Sequence, residues 1–465
     1  MTHYALIVRR AMLRNGHRLD IGIADGRIAA MAERLEGRGP ELDARGGAIM
    51  PGLIDHHIHL LATAARLAST DLSGIADPQQ IIERLRASAA RLKPGTWLRA
   101  TGWDEGDAPL PDRHVLDSWV VDQPIRIQDR TGALWLLNSA AIEQLGSGPY
   151  PECVECDSHG TPNGRIWRGD AWLRDRIGSD APDLGPLSKQ LAACGITGVT
   201  DTGANNDNEL LAELSRQHRS GALLQNVMAM GREGLSPHPG IAIGPLKLLY
   251  DESALPDPDS VAMRIRSAHG EGRAVAAHCV TATELAFFLA ALNAAGGARP
   301  GDRIEHGGMI PEAMIPVIAE AGLTVVTQPA FIHDRGERYI ERIAGEDIAD
   351  LYRLASLCKA GIAMAAGSDA PYGSADPWLA IRAARDRLTS GGRSIGPDEA
   401  MDSGNALDLY LHPFDMAPGT RRIEVGAPAS LCIARTGWDD LLAEPSADHV
   451  AATLVDGKIV HKAIQ

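Results

Sequence analysis

The chain has 465 residues, of which 45% are hydrophobic and 23% charged, and a formal net charge of −15. That length exceeds one compact domain and predicts a large domain with at least one smaller companion. The acidic balance argues against nucleic acid and anionic membranes as partners, because both need basic patches, and it leaves a neutral or cationic small molecule as the expected substrate.

The first strands are Tyr4-Ala-Leu-Ile-Val, Arg18-Leu-Asp-Ile-Gly-Ile and Arg27-Ile-Ala-Ala-Met, with an Asp25-Gly26 hairpin turn before the third. No early apolar run has the length of a signal peptide, and none anywhere approaches the roughly 18 residues of a membrane span. Six cysteines in so long a chain do not make a disulfide framework, so a reducing cytoplasm is expected. The last stretch has the same texture: Ala429-Ser-Leu-Cys-Ile-Ala, His449-Val-Ala-Ala-Thr-Leu-Val, an Asp456-Gly457 turn and Lys458-Ile-Val. The two β-rich ends, 1–49 and 420–465, are predicted to build one small β-sandwich.

Between them, 50–419 alternates apolar strand-like runs with amphipathic helices. The runs are 48–60, 195–201, 225–230, 245–250, 274–280, 303–306, 323–328 and 362–369, and helical patterns cover 208–217, 284–295, 311–321 and 378–388. Eight strands with intervening helices predict an α/β fold of the (β/α)8 TIM-barrel type. A doubly wound sheet can be written from the same pattern, and the strand count favours the barrel. Residues 61–193 break the rhythm and hold six of the eight tryptophans: Trp97, Trp103, Trp119, Trp135, Trp167 and Trp172. So long a connection has structure of its own. Leaving by the first βα loop, it is expected to act as a lid or pocket wall.

The chemistry concentrates at strand ends. In Asp55-His56-His57-Ile58-His59, strand alternation points His57 and His59 one way and His56 the other. Two imidazoles on one face can chelate a transition metal, although an isolated His-x-His is common by chance. Later runs carry Lys247, His278, His306 and Asp369, each in or terminating apolar sequence where a barrel places its active site. A buried Lys, two His and an Asp on separate strands would each be costly without a shared purpose, and metal ligation supplies one.

Pro51-Gly-Leu-Ile-Asp-x-His57-x-His59, followed in order by Lys247, His278, His306 and Asp369, resembles the metal-dependent amidohydrolase superfamily over nearly the whole chain. Thr101-Gly-Trp-Asp-Glu, Val115-Leu-Asp, Asp122-Gln-Pro and Asn138-Ser-Ala-Ala look like its formamide-deformylase-like branch, and Asp129-Arg-Thr-Gly-Ala-Leu-Trp135 is similar to enzymes that cleave phenylureas and thiocarbamates. The resemblance implies that His57, His59 and Asp369 hold one metal. His278 and His306 would hold a second, or assist the first metal or the substrate. Lys247 would be carboxylated by CO2 to an anionic bridging ligand; an unpaired surface Lys is the alternative. Zinc is the expected metal, with cobalt, manganese or iron also compatible with these ligands. Metal binding would lower the pKa of water from about 15.7 toward about 7, giving hydroxide, with Asp369 as general base and acid. The substrate would be an apolar amide, carbamate, thiocarbamate or urea, cleaved at its C–N or C–S bond. Deamination of a heterocyclic amine and a catalytically silent binding barrel stand as alternatives, and a homo-oligomer is expected. The loop after Lys247, Tyr250-Asp-Glu-Ser-Ala-Leu-Pro, departs from the Gly-rich stretch of many branch members, so substrate contacts do not transfer.

Trp103, Asp129, Arg130 and Trp135 are candidates for the substrate pocket; core packing of the tryptophans and a surface salt bridge are the competing readings. Cys153, Cys156 and His159 have zinc-like spacing but no fourth ligand, which favours an ordinary loop. Cys279 should face the core, and alternation turns Glu305 toward the helical layer, as an ion pair or a hydrogen-bond partner to a ligand.

Overall fold

Apolar, β-branched runs separated by capped amphipathic helices give eight parallel strands: Leu53–Ile58, Ile196–Asp201, Asn226–Gly231, Ile241–Leu248, Val275–Cys279, Arg303–His306, Thr324–Thr327 and Met364–Ala366. The structure, a computed structural model, describes residues 2–104, 109–121, 123–178 and 181–463. Each strand pairs with the next in chain order, as a barrel requires. At the seam the amide of Asp369 donates to the carbonyl of His57 (2.7 Å), and that of His59 to the carbonyl of Ala370 (2.9 Å). Asp55 reinforces the seam, its Oδ1 accepting from the amides of Ser368 (2.9 Å) and His57 (3.1 Å).

The intervening helices begin and end on local signals. Asn208–Ser220 starts at the Asp207 cap and stops at Gly221, whose φ of +78° suits glycine. Ala282–Ala294 opens on a Thr281–Glu284 capping box. The pattern over 311–321 is α-helical only at Ile315–Ala321, after a 3₁₀ turn at Glu312–Met314, because Pro316 fits only a helix's first turn. The run 48–60 splits in two. Ile49–Pro51 joins a sandwich sheet and Leu53–Ile58 starts the barrel, with Gly52 between them; a Cβ there would lie 2.1 Å from Thr197.

Both chain ends meet in one core. One sheet runs in the order Arg27–Ala32, Arg18–Ala24, Leu6–Met12, Glu41–Asp43, and the other Lys458–Lys462, Val450–Val455, Leu431–Ala434, Ile49–Pro51. Val8, Ile21, Ile23, Ile49, Leu431, Ile433 and Leu454 pack between them.

Residues 1–60 and 184–465 form one compact unit and 61–183 another; helix Gly185–Ala193, grouped with the insertion on sequence, belongs to the first. The second unit has a six-stranded sheet in the order Val154–Cys156, Pro162–Trp167, Leu134–Leu137, Ile125–Asp129, Leu98–Trp103, Thr70–Asp71. Trp103 packs in one of its cores with Leu98, Ile127 and Leu134, and Trp135 in another with Leu137, Ile166 and Leu173. Glu105 and Asp122, in two of the quoted motifs, lie outside the described residues. Among the described residues, no helix is long and apolar enough to cross a membrane.

One glycine couples fold to site. A Cβ on Gly367 would lie 2.4 Å from the backbone nitrogen of His57, so nothing larger fits at the seam without moving that strand. Gly367→Ala is expected to destabilise the protein by about 1–3 kcal/mol and to lower metal content, read by urea unfolding and metal analysis. Wild-type values for both would contradict this account.

Candidate metal centre

The predicted ligands stand at or just beyond the C-terminal ends of five strands, where the barrel leaves side chains unpaired with its own layers. One ligand atom from each of His57, His306 and Asp369 lies within 4.8 Å of the others, and all three residues are buried. Asp369 Oδ1 is 3.3 Å from His57 Nε2 and 3.2 Å from His59 Nε2, so both imidazoles of the first strand reach one carboxylate. The His306 ring centre is 4.6 Å from that of His57 and 4.5 Å from that of His278. His306 thus bridges the two groups into which the resemblance divides the ligands. Lys247 is 4% exposed; its Nζ has no hydrogen-bond partner among the described residues and lies 3.9 Å from Glu305 Oε2.

Glu305 corrects the sequence reading in its direction alone, since the expected ion pair and the hydrogen bond to His57 are both present. It does not face the helical layer: it is wholly buried, and its Oε2 accepts from Nδ1 of His57 while its Oε1 accepts from Arg303 Nε at 2.5 Å. Consecutive residues Glu305 and His306 therefore both turn toward His57. His306 has φ +71°, in the left-handed region, which breaks the two-residue alternation. Asp369 is also left-handed, at φ +51°. Non-glycine residues held there cost about 1–3 kcal/mol each and cluster at functional sites. Gln328 was not singled out on sequence; its Oε1 lies 2.8 Å from His306 Nδ1. The signal was available, since Gln328 is a polar residue closing an apolar run, as the predicted ligands do.

The donor set suits a divalent transition metal. Imidazoles and a carboxylate converge, and a buried lysine nitrogen near them has no hydrogen-bond partner among the described residues. A cavity of about 450 Å³ elsewhere, lined by Gly244, Ala274, Gly301 and Arg303 near the strands' N-terminal ends, contains none of the ligands.

The sequence pattern of the amidohydrolase family matches residues 41–461. The chain belongs to that family. Like other amidohydrolases, it is a metal-dependent hydrolase acting on carbon–nitrogen bonds. It is 24% identical to amidohydrolase YtcJ of Bacillus subtilis (strain 168), over 97% of each chain. It is also 24% identical to the N-substituted formamide deformylase of Arthrobacter pascens, over 97% of this chain and 96% of that one. Among solved structures, an uncharacterised metal-dependent hydrolase from Pyrococcus horikoshii superposes with a TM-score of 0.76 at 20% identity, covering 98% of this chain and 100% of the other.

Electrostatics in this candidate centre keep the imidazoles of His278 and His306 toward their neutral form. Burial, then the neighbouring Lys247 and His57, push His278 down to about 4. Burial likewise pulls His306 and His56 well below the ordinary histidine range. Burial opposes ionisation of Asp369, but hydrogen bonds from His57 and His59 override it and hold the carboxyl well below its usual range. The same burial lowers Lys247 toward its neutral amine.

A pH dependence follows. For His56, His278 and His306 the folded-state pKa lies below the unfolded value, so the unfolded chain takes up protons first as pH falls. Stability of the metal-free protein should therefore drop from about pH 6.5 to about pH 4. His57 works the other way: burial and Lys247 lower it, but Glu305 and Asp369 raise it on balance. His218, His412 and His461 are lowered by burial as well and add to the slope, while Asp55, which burial pushes up to about 6, and the raised carboxyls of Glu284 and Asp376 oppose it beside His57. Among the described residues the six lowered imidazoles outnumber these four groups and set the net sign. A urea midpoint that stays flat or rises through this window would contradict neutral burial.

The remaining candidates for the pocket lie together in the sheet of the second unit, where Trp103 pairs with Asp129 on the neighbouring strand and its carbonyl accepts from the Arg130 amide at 2.8 Å. Arg130 pairs with Asp104 at 2.9 Å, while Asp129 Oδ1 accepts from the Leu134 amide at 2.9 Å and its Oδ2 from the Thr131 amide at 3.1 Å, closing a turn. Trp135 Nε1 donates to Asp170 (3.0 Å), and the Arg99 guanidinium stacks on its ring at 5.3 Å. Cys279 is buried in the core. The described residues show no metal cluster at Cys153, Cys156 and His159.

Proposed function

We propose that this amidohydrolase cleaves the C–N bond of an amide, carbamate, thiocarbamate or urea, the last two by resemblance to hydrolases of such compounds. The observation that carries this reading is the convergence of His57, His306 and Asp369 donors within 4.8 Å at the catalytic end of the barrel. We assign His57, His59, Lys247, His278, His306 and Asp369 as metal ligands, with zinc as the metal. When bound, the metal polarises the scissile carbonyl and acidifies water.

The protein's own groups supply the rest. Asp369, ionised in the folded chain, takes a proton from the water that adds to the carbonyl carbon and returns it to the nitrogen as the C–N bond breaks. Burial pushes Lys247 toward the neutral amine, the form that adds CO2, and the resulting carbamate would be an anionic oxygen ligand. The name of the Arthrobacter relative, a formamide deformylase, supports small N-acyl substrates.

The test couples metal analysis with a panel of N-acyl, carbamate, thiocarbamate and urea compounds, plus aminopurines and triazines to detect ammonia release. Turnover of the first group that tracks metal content is expected. Ammonia release alone would replace this reading with deamination. Metal-free protein after expression in metal-supplemented medium, inert on every compound, would end it.

A further inference from the structure

We infer that Glu305 and Gln328 are positioning residues that fix which nitrogen His57 and His306 present to the metal; the inference rests on the metal-centre reading above. An imidazole can bind metal through either nitrogen, and the choice is set by the hydrogen bond the other nitrogen makes. In His57, Nδ1 meets Glu305 Oε2 and Nε2 faces Asp369 at 3.3 Å. A carboxylate only accepts, so His57 turns an N–H on Nδ1 to Glu305, which leaves Nε2, the nitrogen facing Asp369, as the one that would bind the cation, giving up to it any proton it shares with Asp369.

Glu305 is itself locked. Arg303 Nε donates to its Oε1 at 2.5 Å, and Arg303 Nη2 donates to the His56 carbonyl at 3.1 Å, so the acceptor is tied to the ligand strand at both ends. Residues 303, 305 and 328 are all fully buried, which removes water as a competing partner.

His306 has the same arrangement with a neutral partner. Gln328 Oε1 lies 2.8 Å from its Nδ1, and Gln328 Nε2 donates to the Val326 carbonyl at 3.4 Å, which sets the amide's orientation and leaves Oε1 as the acceptor. The two ligands therefore differ in strength. The anionic Glu305 makes His57 the more basic donor, and Gln328 orients His306 without adding charge.

The test titrates metal-stripped full-length protein with Co2+, reading its visible absorption and its dissociation constant against a chelator. Glu305→Gln should weaken binding about 10- to 100-fold and shift the absorption bands; Gln328→Leu should weaken it toward the lower end of that range. Glu305→Asp, which keeps the charge, should recover part of the loss. In a His57→Ala background, Glu305→Gln should cost much less than in the wild type, the remainder reporting its ion pair with Lys247; a purely structural role would cost as much in both backgrounds. Should Glu305→Gln not fold, with Arg303 left without its carboxylate, Gln328→Leu carries the same test at an uncharged position. Folded variants with wild-type affinity and spectrum would overturn the inference. A wild-type chain that binds no Co2+ would instead overturn the metal centre itself.

Discussion

Asp369→Asn should lower kcat on any accepted substrate by roughly 100- to 10,000-fold, the range for removing a general acid–base group, with KM changed far less. The substitution keeps size and shape, and an amide oxygen can still accept from His57 or His59, so the seam should hold. Its main support is backbone: the Asp369 amide donates to His57 at 2.7 Å whatever the side chain. What disappears is the charge that both first-strand imidazoles face at 3.3 and 3.2 Å and the basicity that moves the proton. Circular dichroism and the urea midpoint should therefore stay near wild type while turnover falls. Wild-type kcat from the folded variant would remove Asp369 from the chemistry.

The second large effect is expected at His57. His57→Ala should cost metal affinity well beyond the roughly 100-fold upper figure for losing an outer partner, and activity should fall with it. The residue is 1% exposed and meets Asp369, Glu305 and the ring of His306. Its loss removes a donor and also leaves Glu305 Oε2 without its hydrogen bond, a buried carboxylate oxygen that should destabilise the metal-free protein by about 1–3 kcal/mol or more. Metal content by mass spectrometry, with activity re-measured at saturating metal, separates the two effects. Activity restored by excess metal would identify His57 as an affinity determinant; wild-type metal content without excess would exclude it as a ligand.

Much of the barrel was legible because its signals are local. Runs such as 274–280 and 323–328 are rich in apolar and β-branched residues and flanked by turn residues, and each appears as a strand within a few positions. Strand-end polarity likewise marked His278, His306 and Asp369. Glu305 was misread because alternation assumes an extended backbone and His306 is left-handed at φ +71°, a property that no spacing rule registers. Arg303 and Asp55 were overlooked for another reason. Each reaches a backbone group far away in sequence, the His56 carbonyl and the Ser368 amide, and a charged residue does not declare which distant group completes its hydrogen bonds, even where, as for Arg303, the opposite charge of Glu305 stands two residues on. The tryptophans of 61–183 show the limit of composition: their enrichment marked a structured segment, while the burial of Trp103 and Trp135 in its cores depended on six strands assembling around them.

Strand Ile49–Pro51 lies one residue before the barrel's first strand yet pairs with Leu431–Ala434, and Ile49 shares a core with Leu431, Ile433 and Leu454. During synthesis, then, this strand waits until Leu431–Ala434 has emerged before its sheet can close. Contacts of such long sequence separation form late and slowly, and until then an unpaired strand edge stays exposed to other nascent chains. Chaperone dependence and sensitivity to C-terminal nonsense mutations should both be high, and a ribosome stalled near residue 420 should hold a barrel whose entry strand has no anchor.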